Sequence, residues 1–207
     1  MNIRNIGFKN CCERYAKANK KNKDLFAFFD SLEKITSYYF YKRLRNDKIS
    51  LDALRDKWHY SVPRSLKNYD DDLVNHLENI IKTYKNTNVK CVSNPIHLEI
   101  CGVNLEGQVD VVSENNGIYT LHYFKYNTIS DYDSGYENKI IPLIMSISFV
   151  NDFKKHDYNI SMHNTMINKR TTYPGNTNVE QLKDLLNKSK ISCKDCDAKK
   201  TCKYSKP

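Results

Sequence analysis

The stretch Leu105-Glu106-Gly107-Gln108-Val109-Asp110-Val111-Val112 is followed, after a short polar interval, by Ile118-Tyr119-Thr120-Leu121-His122-Tyr123-Phe124-Lys125. Both runs are rich in β-branched and aromatic residues, a composition that favours strands. The interval contains Asn115-Asn116-Gly117, which is typical of a tight hairpin turn because Asn and Gly tolerate positive φ. The sequence therefore predicts two paired strands, the first carrying Asp110 and the second reaching Lys125.

Helices are predicted on both sides of this hairpin. Upstream, apolar residues recur at three- and four-residue steps in three segments, which begin near Asp24, after the potential cap Ser50, and at Asp70 or Asp71. A further strand is predicted over 98–103, just before the hairpin. Downstream, the patterns predict a helix over 136–149, a strand over 158–167 and a helix after the potential cap Asn178. This order predicts an α+β (mixed α/β) fold.

Length and composition indicate one globular domain. The chain has 207 residues, of which 40% are hydrophobic and 28% charged. We expect a helical region over 1–90, a β-sheet core over 91–170, and a C-terminal helix with a cysteine cluster over 171–207. No apolar run approaches the roughly 20 residues of a membrane-spanning helix, so no membrane partner is expected.

The N-terminal residues and the composition bear on cellular location. The first nine residues lack the apolar stretch of a secretory signal, which predicts a reducing cytoplasm. Frequent Asn, Lys, Ile and Tyr, whose codons are AT-rich, indicate an AT-rich cellular or phage genome, and hence a host cytoplasm if the protein is phage-encoded. Structural disulfides are not expected in that compartment.

The chain is strongly basic. It has 33 Lys and Arg against 24 Asp and Glu, a formal net charge of +9. Such a charge favours polyanionic partners, above all nucleic acid, through the release of counterions. The expected binding surface combines residues 17–23, 42–45 and 194–203.

Three cysteines near the C-terminus have the spacing of metal ligands. Cys193, Cys196 and Cys202 form a C-x2-C-x5-C pattern in a lysine-rich, loop-like segment that could not form a hydrophobic core by itself. Thiolates select zinc or iron–sulfur clusters, and either usually has four ligands. Cys11 or Cys12 is the candidate for the fourth, so a metal would join the two ends of the chain.

Asp110 and Lys125, across the predicted hairpin from each other, form the skeleton of a magnesium-dependent nuclease. In such enzymes carboxylates hold the ion, and a lysine orients or activates the attacking water. By itself the pair is a weak signal, since many half-buried hairpins carry one Asp and one Lys.

Together with the cysteines, this layout resembles the RecB-like branch of the PD-(D/E)xK nuclease superfamily. The resemblance is to its iron–sulfur members, among the CRISPR-associated nucleases and the AddB helicase-nuclease subunit. That family has an N-terminal cysteine, a helical region, a G-x-x-D strand, a D/E-x-K strand, a Q-x-x-x-Y helix and three final cysteines. The resemblance implies a restriction-endonuclease-like core.

The resemblance also assigns site residues. Its [4Fe-4S] ligands would be Cys193, Cys196 and Cys202, with Cys11 or Cys12 as the fourth. Gly107 and Asp110 match the G-x-x-D motif, and Lys125 matches the motif lysine. Glu99, in the preceding strand, suits the acidic residue that the family often carries there.

Several catalytic positions depart from the family pattern. The second metal-binding acid falls on Tyr123, and a phenol cannot replace a carboxylate as a magnesium ligand near neutral pH. The helical metal-binding His falls at about Phe29, and the Q-x-x-x-Y motif has no clear match. Glu137 and Asp30 are the candidate surrogate acids. With so few anions, efficient magnesium or manganese chemistry is not expected.

The sequence thus predicts a catalytically degenerate, nucleic-acid-binding protein that serves in a larger assembly for DNA replication, recombination or transcription. Two alternatives stay open. One is an active magnesium- or manganese-dependent DNA nuclease that uses a migrated carboxylate. The other is an interaction domain held together by zinc.

Overall fold

A computed structural model describes residues 23–100, 102–126, 136–153 and 157–187, the side chains of 23, 26, 136–138, 151–153 and 187 excepted. The predicted α+β class is confirmed. The helices are α1 (Lys23–Leu44), α2 (Leu51–Ser61), a 3-10 helix (Arg64–Tyr69), α3 (Asp70–Tyr84), α4 (Tyr136–Phe153) and α5 (Val179–Asn187). The strands are β1 (Val89–Ile100), β2 (Val103–Asn115), β3 (Ile118–Lys125), β4 (Tyr158–Asn164) and β5 (Lys169–Pro174).

The five strands form one mixed sheet in the order β1-β2-β3-β4-β5. Neighbouring strands are antiparallel except β3 and β4, which are parallel. Parallel neighbours require a crossover connection, and α4 supplies it here. The sheet begins at Val89 and ends at Pro174, so it extends a few residues beyond the predicted 91–170 at both ends.

The hairpin between β2 and β3 has the predicted turn. Asn116 and Gly117 have φ values of 52° and 81°. The Gly117 N–H donates to Glu114 Oε1 at 2.7 Å, which closes the turn. The local sequence therefore sets the register that brings β2 and β3 together.

Two predicted strand boundaries are wrong. The predicted strand over 98–103 contains a chain reversal, because Gly102, with φ at 69°, separates the end of β1 from the start of β2. The predicted strand over 158–167 ends at Asn164, and the chain then turns back through Asn168, with φ at 49°, into β5. In both places apolar residues continue up to the turn, which conceals the reversal in the sequence.

The predicted helix caps are confirmed. Ser50 Oγ accepts the Ala53 N–H at 3.1 Å, and Asn178 Oδ1 accepts the Gln181 N–H at 2.9 Å. Pro142 lies inside α4 without ending it, although it removes one helical hydrogen bond. Residues 140–149 of α4 are almost all buried, so tertiary packing stabilises this helix.

The two faces of the sheet support separate hydrophobic cores. One core joins the sheet to α4 and α5, and includes Leu121 and Tyr123 of β3. The other joins it to α1, α2 and α3, and includes Phe124 of β3. Successive residues of β3 therefore enter opposite cores, as the two-residue period of a strand requires.

No helix in the described part of the chain is long and apolar enough to cross a membrane.

We predict that Phe124→Ala lowers the free energy of unfolding by about 3–5 kcal/mol. Phe124 is fully buried, stacks on Phe40 at a centroid distance of 5.4 Å and meets Tyr84 edge-on at 5.5 Å. Urea denaturation would measure the change as a lower midpoint with an unchanged m-value. Tyr60→Ala is the control, since Tyr60 is 92% exposed. An equal loss in both variants would contradict the prediction.

Candidate functional site

The structure brings Asp110 of β2 close to the end of β3, where Lys125 lies. Asp110 is only 3% exposed, and its Oδ2 accepts the backbone N–H of Phe124 at 2.7 Å. Phe124 directly precedes Lys125, which is half-buried. The backbones of the two residues predicted as a nuclease skeleton thus lie on adjoining strands at the same end of the sheet.

The hydrogen bond with the Phe124 N–H gives Asp110 a structural role at the end of β3. The paired residues of β2 and β3 run from Asn115 and Ile118 to Val111 and His122, and Phe124 lies beyond the last pair. The Asp110 carboxylate therefore takes the place of a backbone acceptor for the Phe124 N–H. A buried N–H without such a partner would be destabilising by about 1–3 kcal/mol.

Lys125 is held through its backbone by the following strand. Its carbonyl accepts the Thr165 N–H at 3.1 Å and the Thr165 hydroxyl at 3.2 Å. Thr165 follows directly on β4, whose last residue, Asn164, pairs with Lys125. The end of β3 is thus fixed from both sides, by Asp110 and by Thr165.

Tyr123, at the position where the family carries its second acid, belongs to the hydrophobic core. It is 5% exposed, lies opposite Met162 of β4 and packs in the core that contains α4. An aromatic ring suits this environment, whereas an ionised carboxylate there would be strongly disfavoured by desolvation.

The candidate surrogate acids fall in different places. Asp30 is exposed on α1 and lines a surface cavity of about 420 Å³, whose described lining comes from α1, α2 and the segment of residues 61–66, with no sheet residue. Glu137 is the second residue of α4, and its side chain lies outside the described residues. Glu99 is exposed and pairs with Asn104 near the tip of the β1–β2 hairpin.

Glu99 also lies far along the strand from Asp110. It is five residues beyond Asn94, the partner of Val109, which corresponds to about 17 Å of strand at about 3.3 Å per residue. Its role as a metal ligand stays a prediction that the register does not favour.

The sequence analysis missed a carboxylate near the Asp110 strand. Glu33 of α1 accepts a hydrogen bond from the Gln108 side-chain amide at 3.0 Å, and Gln108 precedes Asp110 by two residues. This contact joins α1 to β2 across 75 positions of sequence, and no local pattern reveals it.

The described residues do not bring together the acidic side chains that a magnesium site requires. In the described ranges, no group of three His, Cys, Asp or Glu side chains is placed to hold a metal ion. Asp110 Oδ2 accepts the Phe124 N–H, and Tyr123 lies in an apolar core.

The cysteines predicted to hold a cluster are Cys11, Cys12, Cys193, Cys196 and Cys202, and all five lie outside the described residues. Their ligand roles therefore stay predictions. Cys91 is a half-buried free thiol on β1, 3.8 Å from both the Val92 carbonyl and Asn94 Oδ1.

A buried chain of hydrogen bonds leads from α1 to the end of β3. His76 of α3 lies between Thr36 and Thr165, with its Nε2 and Nδ1 each 2.7 Å from a threonine hydroxyl. Because the Thr165 hydroxyl donates to the Lys125 carbonyl, it must accept from Nδ1–H, and Nε2 then accepts from Thr36. A neutral imidazole therefore satisfies every member of the chain.

A second polar group lies on the same face of the sheet. The Tyr84 hydroxyl is 3.1 Å from His163 Nδ1, and Arg170 Nε donates to Ser161 Oγ at 2.7 Å. His122 Nε2 is 2.8 Å from Ser113 Oγ, while its Nδ1 has no hydrogen-bond partner among the described residues. In the sequence, this network is indicated by polar residues at positions where the strand and helix patterns predict buried apolar residues.

Burial keeps the three histidines of these networks neutral. It lowers the pKa of His76 to about 3, with a smaller contribution from His163, and the pKa of His122 to about 3, with smaller contributions from Arg170 and His163. Burial likewise lowers the pKa of His163 to about 4. It raises the pKa of the Tyr84 hydroxyl to about 12, although the nearby Arg170 opposes this shift. Near neutral pH these groups therefore pack and form hydrogen bonds in their uncharged forms.

We predict that the free energy of unfolding falls as the pH drops below about 6.5. A histidine with a lowered pKa in the folded state binds its proton more readily when the chain is unfolded. Stability is therefore fully present above the unfolded pKa of about 6.5 and declines toward the folded values, by about 2 kcal/mol per histidine at about pH 5. Urea denaturation at about pH 7.5 and about pH 5 would measure the difference.

Two variants make this pH prediction specific. His76→Gln removes one buried imidazole and should flatten the dependence on pH, even though it lowers stability at every pH. His97→Gln changes an exposed residue and should leave the profile as in the wild type. A wild-type profile that is level between these two pH values would contradict the assignment.

Comparison with known proteins identifies no family for this chain. No protein-family model matches the sequence, and no curated protein matches it significantly. Among solved structures, the crystal structure of SSO0001 aligns over 100% of this chain and 87% of its own, with 14% identity and a TM-score of 0.38. At these values the alignment carries no inference about fold family or function.

Proposed function

We propose that this protein binds nucleic acid through a catalytically degenerate RecB-like PD-(D/E)xK nuclease fold with an iron–sulfur cluster. In this proposal it acts in the cytoplasm as a subunit of a DNA replication, recombination or transcription assembly. One observation supports the proposed loss of catalysis. Asp110 accepts the Phe124 N–H, and the buried Tyr123 occupies the position where the family has its second acid.

The order of elements supports the family proposal. A helical region precedes the sheet, the strand with Gly107 and Asp110 pairs with the strand that ends at Lys125, and a helix follows. This is the order that the resemblance implies for the G-x-x-D strand, the D/E-x-K strand and the next helix.

The chemistry of the site argues against efficient hydrolysis. A metal-dependent nuclease must hold a divalent cation beside an already negative phosphate, which takes several carboxylates. Asp110 is one such group, and the nearby Glu33 is hydrogen-bonded to Gln108. Without a bound and polarised water, Lys125 has nothing to orient.

We expect no cleavage of labelled single- or double-stranded DNA by the protein with magnesium or manganese. Binding to the same DNA should persist at low salt. Asp110→Asn, which keeps an oxygen for the Phe124 N–H, should match the wild type in binding and nearly so in stability. Asp110→Ala should lower the free energy of unfolding by about 1–3 kcal/mol, because the N–H loses its partner.

Cleavage that disappears in Asp110→Asn would instead establish the alternative of an active nuclease. The missing acid could then be sought with Glu33→Gln, Asp30→Asn and Glu137→Gln. If Asp110→Ala were as stable as the wild type, this would contradict the stabilising role of the hydrogen bond between Asp110 and the Phe124 N–H.

The cysteines support a [4Fe-4S] cluster as the cofactor, with zinc as the alternative. Thiolates suit both, and a reducing cytoplasm keeps the ligands available. Anaerobically purified protein should contain iron and acid-labile sulfide, and Cys196→Ser should lose both. Cys91→Ser is the matched control, since the Cys91 thiol lies on β1 and its hydrogen-bond partners among the described residues are Val92 and Asn94. Zinc without sulfide would favour the zinc-held interaction domain.

A further inference from the structure

A surface cavity of about 420 Å³ lies between α1 and the segment that runs from α2 to Leu66. Its buried lining residues include the apolar Ile35 and Leu66, which are 3% and 2% exposed. Its exposed lining residues include Asp30, Lys34 and Lys57. Apolar surface with a few charged groups beside it is typical of sites for small organic ligands, and here it suits a flat ring that carries charge.

Lysines line the cavity from both helices. Lys34 belongs to α1 and Lys57 to α2, and both side chains are exposed. Neither forms an ion pair with a carboxylate among the described residues, whereas Lys42 pairs with Asp47 at 3.1 Å. A phosphate can therefore bind the Lys34 and Lys57 ammonium groups without displacing a described carboxylate.

Tyr38 adds an aromatic surface to the same cavity. Its neighbours in sequence, Tyr39 and Phe40, are 3% and 0% exposed and belong to the core, but Tyr38 is only half-buried. The Lys57 ammonium lies 5.7 Å from the centroid of the Tyr38 ring, so one ligand can contact both. Aromatic rings beside cations are the combination with which proteins bind the bases and phosphates of single-stranded nucleic acid.

A second cavity, of about 470 Å³, adjoins the first along α1. Both are lined by Asp30, Lys34 and Tyr38, and the second is also lined by Glu33 and by Tyr41, which is 46% exposed. Residues three apart on a helix are surface neighbours, so the two tyrosine rings lie side by side. The two cavities together therefore have room and stacking surfaces for successive bases.

The carboxylates of the lining favour a single strand over a duplex. Asp30 and Glu33 repel phosphate, and a duplex carries its phosphates on the outside. A single strand exposes the edges of its bases, and a carboxylate accepts hydrogen bonds from amino groups such as cytosine N4. Its bases are also free to stack on tyrosine rings, whereas those of a duplex already stack on one another.

We propose that the two cavities along α1 bind nucleotides of single-stranded nucleic acid, with a base on Tyr38 and a phosphate between Lys34 and Lys57. This inference rests on the proposed function, since it takes nucleic acid as the partner. It adds the place on the fold and the preference for a single strand. Asp30, a candidate surrogate acid in the sequence, accepts hydrogen bonds from the base in this arrangement.

The single tryptophan of the chain reports on this site. Trp58 Nε1 donates to Ser31 Oγ at 2.8 Å, and Ser31 lines the first cavity. The full-length protein is titrated at low salt with a labelled, cytosine-containing single-stranded DNA of about 10 nucleotides, and with the corresponding duplex. The single strand should bind more tightly than the duplex and should change the Trp58 fluorescence in a saturable manner.

Tyr38→Leu tests the stacking contact, because it removes the ring and keeps an apolar side chain. It should weaken binding of the single strand by about tenfold or more. Tyr60→Leu is the control, since Tyr60 is 92% exposed and lines neither cavity. Thermal melting checks that each variant is folded.

A double variant, Lys34→Gln with Lys57→Gln, tests the phosphate contacts at exposed positions. The slope of log K against log salt should become shallower by about 1.4, at about 0.7 for each phosphate contact of a single strand. The matched control is Lys82→Gln with Lys85→Gln, two exposed residues that line neither cavity, and its slope should equal that of the wild type.

Binding of the single strand that leaves the Trp58 fluorescence unchanged and is equally tight in Tyr38→Leu would overturn the inference, while nucleic-acid binding itself would stand. A duplex that binds as tightly as the single strand, with the same change in fluorescence, would overturn it too. A wild-type protein that binds neither DNA at low salt would instead overturn the proposed function, and this inference with it.

Discussion

Strand β3 is buried on both of its faces, and the rest of the structure is organised around it. Leu121 and Tyr123 pack toward α4, while Phe124 packs toward α1 and α3. On one side β3 pairs with β2, and on the other it runs parallel to β4. Because its end lies beyond the last paired residues of β2, it is held there by the Asp110 carboxylate on one side and by Thr165 on the other.

This arrangement gives Asp110 a role in the fold that does not depend on catalysis. Asp110 completes the hydrogen bonding of a buried strand, which is a sufficient physical reason for a carboxylate or amide at this place. Tyr123 packs in the apolar core that contains α4. The proposed loss of catalysis therefore leaves the fold intact, since both residues contribute to packing or hydrogen bonding.

The buried polar network connects the helices to the sheet by hydrogen bonds as well. His76 connects Thr36 of α1 with Thr165, and through it with the Lys125 carbonyl, so helix, sheet and strand end are coupled.

The sequence by itself determined the local features. Conformational preferences of residues close in sequence account for the helix caps at Ser50 and Asn178 and for the turn at Asn116 and Gly117. They also account for the α+β class. It also placed Asp110 and Lys125 on adjoining strands, because a tight turn fixes the pairing of its arms. The sequence does not reveal the turns through Gly102 and Asn168, since apolar residues continue up to each of them.

Only the tertiary structure decided what the site residues do. Asp110 accepts the Phe124 N–H because the β2–β3 pairing ends before Phe124, and the sequence does not show where that pairing ends. The contact of Glu33 with Gln108 and the bridge through His76 join residues far apart in sequence, so no local pattern encodes them. Burial, which keeps the three histidines neutral, is likewise a property of the assembled fold, because it arises only when distant segments exclude water together.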